Sequence, residues 1–516
     1  MAFSLNLKRV LISDSVDNCC KTILEANGIA VDLKTKLTKE ELLAAIPNYD
    51  GLIVRSATKV TAEVIRAGKN LKIIGRAGTG VDNIDIPAAS LQGIIVMNTP
   101  GGNTISAAEQ TCVLISTLAR HTAQADASMK AGKWDRKKYM GSELLGKTLA
   151  IVGLGRIGRE VAHRMQSYGV TTIGYDPIVP AEESAKYNIE WMELDQLWPK
   201  ADYITVHTPL IPQTKGLLGD KTFPLCKKGV YVVNCARGGI IDEASLLRNL
   251  ESGQCGGAGL DVFETEPPTG VSAQLAQHPK VIACPHLGAS TVEAQTRVAK
   301  EIAEQFVDAV QGKSLFGVVN ATFLADALKP QAQPWLSLGE KLGKVAACLS
   351  QGKVAKATVT TYGADMKPAG RYITAAVSAG IMGSEANLVN SSVMAKEKGC
   401  QVSSTHMDTV GLPYPAAVSI TFNCDGKDTT LTGTVVGLDV PVLVKFDSLV
   451  FSGAVPLSGN LSFVKGSPGK VLADLVPKFG ENGSINYVHV AGGGAESIVV
   501  VSTSSQISAG YPCIAL

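Results

Sequence analysis

Three ionisable residues of the chain, Arg237, Glu266 and His286, each lie just beyond a predicted β-strand. A guanidinium can hold a carboxylate through two parallel hydrogen bonds, an imidazole can accept a proton near neutral pH, and a carboxylate can orient and stabilise the resulting imidazolium. Taken singly, each has a plain alternative, as an ion-pair arginine, a hydrogen-bonded histidine or a solvated loop acid. Because all three are expected on one rim of one sheet, they predict proton abstraction from a small carboxylic acid.

A glycine-rich loop, GLGRIG, follows the apolar strand sequence TLAIV and opens a helical sequence. Gly153 permits the tight turn, Gly155 lets a pyrophosphate approach the backbone, and Gly158 lets helix and strand pack closely. The helix N-terminus offers free N–H groups to phosphate. The next predicted strand ends in Asp176, whose carboxylate suits a ribose diol and repels a 2′-phosphate. The pattern predicts NAD as the cofactor, in preference to NADP.

The elements that must position these groups form two series of short apolar strands alternating with helical sequences. The first series has strands at Arg9–Asp14, Val31–Lys34, Gly51–Ser56, Lys72–Gly78 and Ile94–Pro100. The second has strands at Thr148–Gly153, Thr171–Asp176, Tyr203–Thr208, Val230–Cys235, Ala258–Phe263 and Val281–Pro285. Long helices are predicted at Thr104–Arg120 and at Thr291–Gln311, the latter after a Ser290/Glu293 capping box. This alternation predicts an α/β fold with two doubly wound, Rossmann-like parallel sheets.

Ligands of open parallel sheets bind at the carboxyl ends of the strands. In the first series those ends carry Arg55 with Ser56, and Arg76, so that rim is rich in arginine. The rim of the second series carries the nucleotide-type groups named above. We expect the two rims to face each other across a cleft that holds cofactor and substrate.

The rest of the chain predicts further domains. Beyond residue 320 the sequence is rich in Ala, Ser, Thr, Val and Gly, and Pro330 and Pro334 predict a linker. Strand-like runs, a helix at Gly469–Phe479 and a polar tail predict an α+β architecture. The predicted domains are a discontinuous substrate-binding domain (1–100 and 291–320), an NAD-binding domain (101–290), an α+β regulatory-type domain (321–458) and a short C-terminal domain (459–516).

Composition excludes several other classes. The net charge of +2 offers no basic cluster for nucleic acid or for an anionic membrane, and the N-terminus has no secretory pattern. No uncharged apolar run is long enough to span a membrane. The 11 cysteines are scattered without a CxxC, so we expect reduced thiols, no metal site and a cytoplasmic location.

Six segments then carry a family resemblance. They are GRAGTGVDNID (75–85), GLGRIG (153–158), HTPL (207–210), NCARGGIID (234–242), LDVFETEPP (260–268) and PHLGAST (285–291). The chain resembles the D-isomer-specific 2-hydroxyacid dehydrogenases over about residues 5–320. The resemblance implies a catalytic triad of Arg237, Glu266 and His286. It places cofactor contacts at Thr79, Arg156, Ile157, Asp176, Thr208, Cys235, Ala236, Asp261 and Gly288.

Among these enzymes the chain is most similar to the long members that oxidise 3-phospho-D-glycerate to 3-phosphohydroxypyruvate at the start of phosphorylated serine biosynthesis. Their phosphate needs extra cations, for which we name Arg55 and Arg76, with Ser56 and Asn103 as further substrate contacts. Arg136, in the basic stretch GKWDRKKYM, is either an exposed loop residue or one that reaches into a partner subunit. The resemblance implies an ACT-type domain at 459–516, for which we assign no effector residues.

Two other functions stay open at this point. A glyoxylate or hydroxypyruvate reductase would use the same triad but would not need Arg55 and Arg76 together. A corepressor of the C-terminal-binding-protein type shares the fold and the triad and uses NAD to drive oligomerisation. The helix at Thr104–Arg120 and the loop at Gly132–Met140 predict contact with another copy, in a homodimer or a homotetramer.

Overall fold

The structure, a computed structural model, describes residues 5–409, 411–424, 426–475, 484–493, 497–504 and 512–516. The chain divides into two compact units, one of Met1–Asn98 with Ile302–Leu516 and one of Thr99–Glu301. The boundary between Glu301 and Ile302 lies within the helix Val292–Val310.

The first unit begins with a five-stranded parallel sheet of order β2-β1-β3-β4-β5. Its strands are β1 (Arg9–Ile12), β2 (Ala30–Leu33), β3 (Gly51–Val54), β4 (Ile73–Arg76) and β5 (Ile95–Asn98). The connecting helices are α1 (Cys19–Ala26), α2 (Lys39–Ala45), α3 (Ala62–Ala67) and α4 (Ile86–Leu91). All five predicted strands are confirmed, but each ends one or two residues earlier than predicted. β1, β2 and β3 each end in an apolar residue, and the next residue, Ser13, Lys34 or Arg55, is polar and begins the loop at the carboxyl edge.

The second unit holds a seven-stranded parallel sheet of order β12-β11-β10-β9-β6-β7-β8. The helices before the first of these strands are α5 (Thr104–Arg120) and α6 (Thr122–Lys130). The strands are β6 (Thr148–Val152), β7 (Thr171–Tyr175), β8 (Glu190–Trp191), β9 (Tyr203–Val206), β10 (Val230–Asn234), β11 (Cys255–Leu260) and β12 (Val281–Ala283). The helices among and after them are α7 (Arg156–Gln166), α8 (Ala181–Ala185), α9 (Leu194–Leu197), α10 (Glu243–Ser252), α11 (Gly270–Gln277) and α12 (Val292–Val310).

Apolar cores cover both faces of this second sheet, as a parallel sheet requires. Alternate residues of one strand therefore enter different cores: Ala150 and Val152 of β6 pack in one and Leu149 and Ile151 in the other. The six predicted strands are confirmed. The seventh, β8, was missed because a two-residue strand leaves no periodicity to recognise.

The start of α12 differs from the prediction. The Thr291 hydroxyl accepts the backbone N–H of Ala294 at 3.2 Å, so Thr291 caps the helix and Val292 is its first residue. The predicted capping box of Ser290 and Glu293 is therefore wrong by one residue. Both Ser290 and Thr291 suit the cap chemically, and the turn from Ser290 N–H to the Leu287 carbonyl keeps Ser290 outside the helix.

Beyond α12 the first unit continues with a ten-stranded sheet of order β14-β13-β15-β16-β17-β18-β20-β21-β19-β22. The strands are β13 (Lys356–Tyr362), β14 (Gln401–Met407), β15 (Ala417–Cys424), β16 (Lys427–Val436), β17 (Val440–Phe446), β18 (Leu449–Pro456), β19 (Asn460–Lys465), β20 (Ile485–Ala491), β21 (Ile498–Thr503) and β22 (Cys513–Ala515). The helices are α13 (Leu324–Ala327), α14 (Gln333–Leu349), α15 (Gly370–Met382), α16 (Ser391–Glu397) and α17 (Pro468–Leu475). The sheet runs through the predicted domain boundary at 458/459, which stays a prediction.

Two C-terminal predictions are wrong. Pro334 does not mark a linker but lies in the first turn of α14, where a missing N–H costs nothing. The chain end is not a polar tail either, because Cys513–Ala515 pairs with β19 as the last strand. The end of the predicted helix Gly469–Phe479 lies outside the described residues. No helix of the described residues is long and apolar enough to cross a membrane.

Candidate active site

Glu266 and His286 form a hydrogen-bonded pair in the second unit. The Nδ1 atom of His286 lies 2.9 Å from Oε2 of Glu266, and the other carboxylate oxygen accepts the backbone N–H of Phe263 at 3.1 Å. Burial opposes the charged form of Glu266, but the hydrogen bonds from His286 and Phe263 and the charge of Arg237 outweigh it, so the pKa of Glu266 is lowered. A carboxylate held ionised against Nδ1 leaves Nε2 as the nitrogen that can take a proton from a substrate.

The loop after β10 positions Arg237. The Asn234 side chain accepts the N–H of Ala236 at 2.9 Å and donates to the carbonyl of Arg237 at 2.8 Å, which folds the loop back on the end of the strand. At Gly238 a Cβ atom would overlap the carbonyl of Phe263, so the Arg237 loop packs directly on the loop that leads to Glu266. Two of the three predicted triad residues thus lie on loops in backbone contact.

Asp261, at the end of β11, anchors the loop that carries His286. Its buried carboxylate accepts the N–H groups of Leu287 and Gly288, each at 2.7 Å, and its backbone carbonyl accepts the N–H of His286 at 2.9 Å. Burial raises the pKa of Asp261, and the two N–H donors oppose that rise. His286 adopts φ = +57°, a left-handed conformation that is strained for a residue with a Cβ. The anchored loop therefore fixes the imidazole at some conformational cost.

The glycine-rich loop between β6 and α7 is shaped differently at each glycine. Gly153 has φ = +99°, and a Cβ there would lie 2.6 Å from the carbonyl oxygen of His207. A Cβ on Gly158 would overlap the carbonyl of Gly153 and touch Ile151, so Gly158 lets α7 pack on β6. At Gly155 the backbone is extended, and a Cβ would meet no atom within 4 Å. The fold itself therefore needs Gly153 and Gly158 but leaves open space at Gly155.

The remaining cofactor candidates of this unit surround that loop. Asp176 accepts the N–H of Leu154 at 2.9 Å, which joins the end of β7 to the glycine loop. Arg156 is exposed at the first position of α7, and the Ile157 side chain packs into the core. Thr208 follows β9, and its Oγ1 is buried with no hydrogen-bond partner among the described residues. Cys235 and Ala236 follow β10, and burial raises the pKa of the Cys235 thiol, which keeps it protonated.

The predicted substrate residues of the first unit lie at the carboxyl edge of its five-stranded sheet. Arg55 directly follows β3, and Val54 of that strand pairs with Arg76 of β4. The N–H of Arg55 donates to the Asp14 carboxylate at 2.6 Å, and its guanidinium donates to the carbonyl of Ser15. Burial lowers the pKa of Arg55 and the Asp14 charge opposes this, but an arginine stays protonated at any physiological pH. The result is a half-buried cation at this edge.

Other predicted contacts lie around these groups. The Arg76 guanidinium packs over Gly78, whose φ is +148°, and the Asn98 side chain donates to the carbonyl of Thr79. Ser56 is exposed beside Arg55. In the second unit Asn103 immediately precedes α5, whereas Arg136 lies exposed in the loop between α6 and β6. The structure therefore does not place Arg136 against the other candidates of its own unit.

Family models match two stretches of the chain. Residues 112–288 match the NAD-binding domain of the D-isomer-specific 2-hydroxyacid dehydrogenases, and residues 331–447 match the intervening domain of D-3-phosphoglycerate dehydrogenase. The D-3-phosphoglycerate dehydrogenase of Homo sapiens is 52% identical over 467 residues, which are 89% of this chain and 87% of that protein. That of Bacillus subtilis is 41% identical over 83% of this chain and 81% of its own length.

This chain belongs to the D-isomer-specific 2-hydroxyacid dehydrogenase family. It is an NAD-dependent dehydrogenase. Solved structures of related enzymes are similar over about three-fifths of the chain. A D-lactate dehydrogenase from Aquifex aeolicus in complex with NAD and lactic acid matches with a TM-score of 0.53 and 26% identity over 59% of this chain and 96% of that chain. A glyoxylate reductase from Paecilomyes thermophila matches with a TM-score of 0.55 and 28% identity over 60% of this chain and 98% of that chain.

The residues of this dehydrogenase fit an NAD molecule at the glycine loop. A pyrophosphate needs close approach to the backbone, which the open space at Gly155 allows, and free N–H groups, which the start of α7 offers. The buried, unpartnered Oγ1 of Thr208 offers one more hydrogen bond to a ligand at the same strand ends. His207 is not suited to proton transfer there, because burial lowers its pKa to about 4 and keeps it neutral.

Sequence reasoning missed several residues that hold this dehydrogenase site in shape. Asn234 organises the Arg237 loop, and an Asn at a strand end is a recognisable turn signal. Asp14 and Asn83 hold the Arg55 segment, since Asp14 also accepts from Thr58 and Asn83 donates to the carbonyl of Arg55 at 2.7 Å. Only the folded chain brings these distant positions together. Glu243, whose carboxylate accepts the N–H of Glu264, gave no signal in the sequence beyond its place at a helix start.

Proposed function

We propose that this enzyme oxidises 3-phospho-D-glycerate to 3-phosphohydroxypyruvate with NAD, at the entry to phosphorylated serine biosynthesis. The observation that carries the proposal is the match to D-3-phosphoglycerate dehydrogenases over 89% of the chain, including their intervening domain. The D-lactate dehydrogenase and the glyoxylate reductase structures match only 59% and 60% of the chain. The half-buried Arg55 cation supports a substrate that carries charge at both ends.

In this proposal each triad residue has one task. Arg237 binds the substrate carboxylate through its guanidinium and orients C2. Nε2 of His286 accepts the proton of the C2 hydroxyl, and Glu266, ionised and 2.9 Å from Nδ1, stabilises the imidazolium that forms. When bound, NAD supplies the acceptor for the hydride that leaves C2. Residues Gly153 to Gly158, Asp176 and Thr208 would hold it, with Thr79, Arg156, Ile157, Cys235, Ala236, Asp261 and Gly288 as the further predicted contacts.

We assign the substrate phosphate to Arg55 and Arg76, with Ser56 and Asn103 as neutral hydrogen-bonding partners. Asp14 and Asn83 fix the backbone of Arg55 on both sides, so its cation is placed before a ligand binds. A pre-placed, partly desolvated guanidinium binds a phosphate dianion strongly and discriminates against an uncharged group. Arg136, exposed in its own chain, is proposed to act on the substrate of a partner subunit.

The domain division, the assembly and the location also remain proposals. We keep the four predicted domains, with the boundaries given above, and a cytoplasmic location. A homodimer or homotetramer is supported by exposed apolar side chains on and near α5, α6 and the loop that follows them. Large exposed apolar residues there are Val113, Met129, Trp134, Met140 and Leu145.

NADH formation at 340 nm with a panel of acids tests the proposal. The panel holds 3-phospho-D-glycerate, D-glycerate, D-lactate and 2-hydroxyglutarate, and a hydrazine traps the keto product. We expect kcat/KM for 3-phospho-D-glycerate to exceed that for D-glycerate by at least about 100-fold, as loss of a buried charge pair costs several kcal/mol. Preference for an unphosphorylated acid would favour the reductase alternative, and tight NAD binding without any turnover would favour the corepressor alternative.

A further inference from the structure

Glu243 is a buried carboxylate that none of the roles above uses. It is the first residue of α10, only 6% of its surface is exposed, and no cation is paired with it among the described ion pairs. Burying an ionised carboxyl costs several kcal/mol unless hydrogen bonds replace its water. The hydrogen-bond partners of Glu243 therefore indicate why a buried carboxyl is present at this position.

The two oxygens of Glu243 accept from two different segments. One accepts the backbone N–H of Glu264 at 2.7 Å, and the other accepts the hydroxyl of Ser272, on α11, at 2.5 Å. Ser272 is itself buried, with 3% of its surface exposed. Burial raises the pKa of Glu243, while the Ser272 and Glu264 donors oppose the rise. The carboxylate therefore ties the starts of two helices to one peptide group.

The Glu264 peptide group lies between two loops that carry active-site residues. It lies two residues before Glu266, the partner of His286. On its other side is Gly238, where a Cβ would lie 2.6 Å from the Glu264 nitrogen, so the loop of Arg237 packs on the same peptide. Glu243 thus fixes a peptide group of the Glu266 loop on which the Arg237 loop packs.

We propose that Glu243 is a positioning residue, which acts through the Glu264 peptide to hold Glu266 against His286 and to seat the loop of Arg237. It needs no contact with substrate or cofactor, because its carboxylate points at Glu264 and Ser272. The inference builds on the proposed function, in which these three side chains perform the reaction. A misplacement of about 1 Å at reacting groups can lower turnover by roughly 100-fold.

The test compares substitutions at Glu243 that keep or lose the anchor. In Glu243→Gln an amide oxygen can still accept from Glu264 and the amide N–H can donate to Ser272, so kcat should stay within about threefold of wild type. In Glu243→Ala both bonds are lost. We expect kcat to fall by about 10–100-fold and KM for the acid to rise, because the loop of Arg237 is released as well, while the Kd of NAD changes by less than about threefold. Glu243→Asp, which is too short to reach both partners, covers the case in which the alanine variant does not fold. Glu251→Ala, an exposed acid of the same helix, is the matched control.

A pH profile separates positioning from a loss of general stability. With Glu266 released, the acidic limb of the kcat/KM profile should move to lower pH by about half a unit or more in Glu243→Ala and Glu243→Asp, and should stay in place in Glu243→Gln and Glu251→Ala. A folded Glu243→Ala or Glu243→Asp variant with kcat within twofold of wild type and an unmoved limb would overturn the proposal. So would a Glu243→Gln variant as slow as Glu243→Ala. All rates use whichever acid the wild type oxidises fastest, so a wrong substrate assignment does not affect this comparison.

Discussion

Replacing Glu266 by Gln removes one charge and one of two hydrogen bonds from the active site. The carboxylate faces both the N–H of Phe263 and Nδ1 of His286, but the amide has a single acceptor oxygen. If that oxygen faces Phe263, the NH2 group faces Nδ1 and favours the tautomer that is protonated at Nε2, which cannot accept the substrate proton. At the 2.9 Å between Glu266 Oε2 and His286 Nδ1, opposite unit charges attract by about 1.4 kcal/mol at the dielectric constant of water and by about 5.7 kcal/mol at an effective value of about 20. The two side chains are 40% and 46% exposed, so we discount toward the lower figure. About 2–3 kcal/mol of imidazolium stabilisation remains, so loss of the charge alone lowers kcat by about 30–150-fold, and a changed tautomer of His286 would lower it further.

The assay is steady-state NADH formation with saturating NAD, from pH 6 to pH 10. Glu264→Gln, an exposed acid two residues earlier, is the control and should leave kcat unchanged within twofold. NAD affinity, measured by calorimetry, should stay within about threefold in both variants. A Glu266→Gln enzyme with kcat within threefold of wild type across this range would refute the electrostatic role of Glu266.

The same substitution has a separate signature in stability. Because folding lowers the pKa of Glu266, its ionised form stabilises the folded chain above the ordinary value of 4.5, and that stabilisation is lost as the pH falls through the lowered value. The Tm deficit of Glu266→Gln should therefore be present at pH 7 and shrink on acidification toward pH 4. A deficit that grows on acidification would contradict the sign of the shift.

Four further substitutions test other parts of the site. His286→Ala should lower kcat by about 10²–10⁴-fold with NAD binding nearly intact, and comparable turnover would remove His286 as the base. Arg55→Ala should raise KM for 3-phospho-D-glycerate by at least about tenfold and leave KM for NAD unchanged, with Arg66→Ala, an exposed arginine of α3, as the control; an unchanged KM would move the phosphate site elsewhere. Gly155→Ala should bind NAD at least about tenfold more weakly at an unchanged Tm, because its Cβ meets no protein atom. Gly158→Ala should be destabilised by about 1–3 kcal/mol or more, because its Cβ overlaps backbone; the reverse pattern in Tm would contradict the roles given to the two glycines.

The sequence predicted the strands that carry the site because buried parallel strands are short apolar runs bounded by turn residues. It also predicted which side chains follow those strands, and hence that Glu266 and His286 lie on one rim. The predicted strand Gly51–Ser56 is two residues too long, because Arg55 and Ser56 follow the strand in sequence but do not belong to it. Side-chain identity alone does not show where the hydrogen-bond ladder stops.

What the sequence did not reveal are contacts between distant positions. Glu243 holding the Glu264 peptide and Asp14 holding Arg55 depend on the topology of the sheets, which brings together residues with no common motif. The left-handed backbone conformation of His286 could not be predicted from the sequence either. It is held by the hydrogen bonds of the following loop to Asp261, which only the folded chain brings together. The C-terminal sheet was read only in part, since strands such as Gln401–Met407 are rich in Ser and Thr and lack apolar alternation.

The most direct test of the account follows the hydrogen on C2. The enzyme is mixed with NAD and 3-phospho-D-glycerate carrying deuterium at C2, and the NADH formed is analysed by mass spectrometry. The account predicts one deuterium per NADH formed, together with a slower single turnover than with the unlabelled acid if hydride transfer limits that turnover. NADH without deuterium, or no NADH from this acid while another 2-hydroxy acid of the panel reacts, would contradict it.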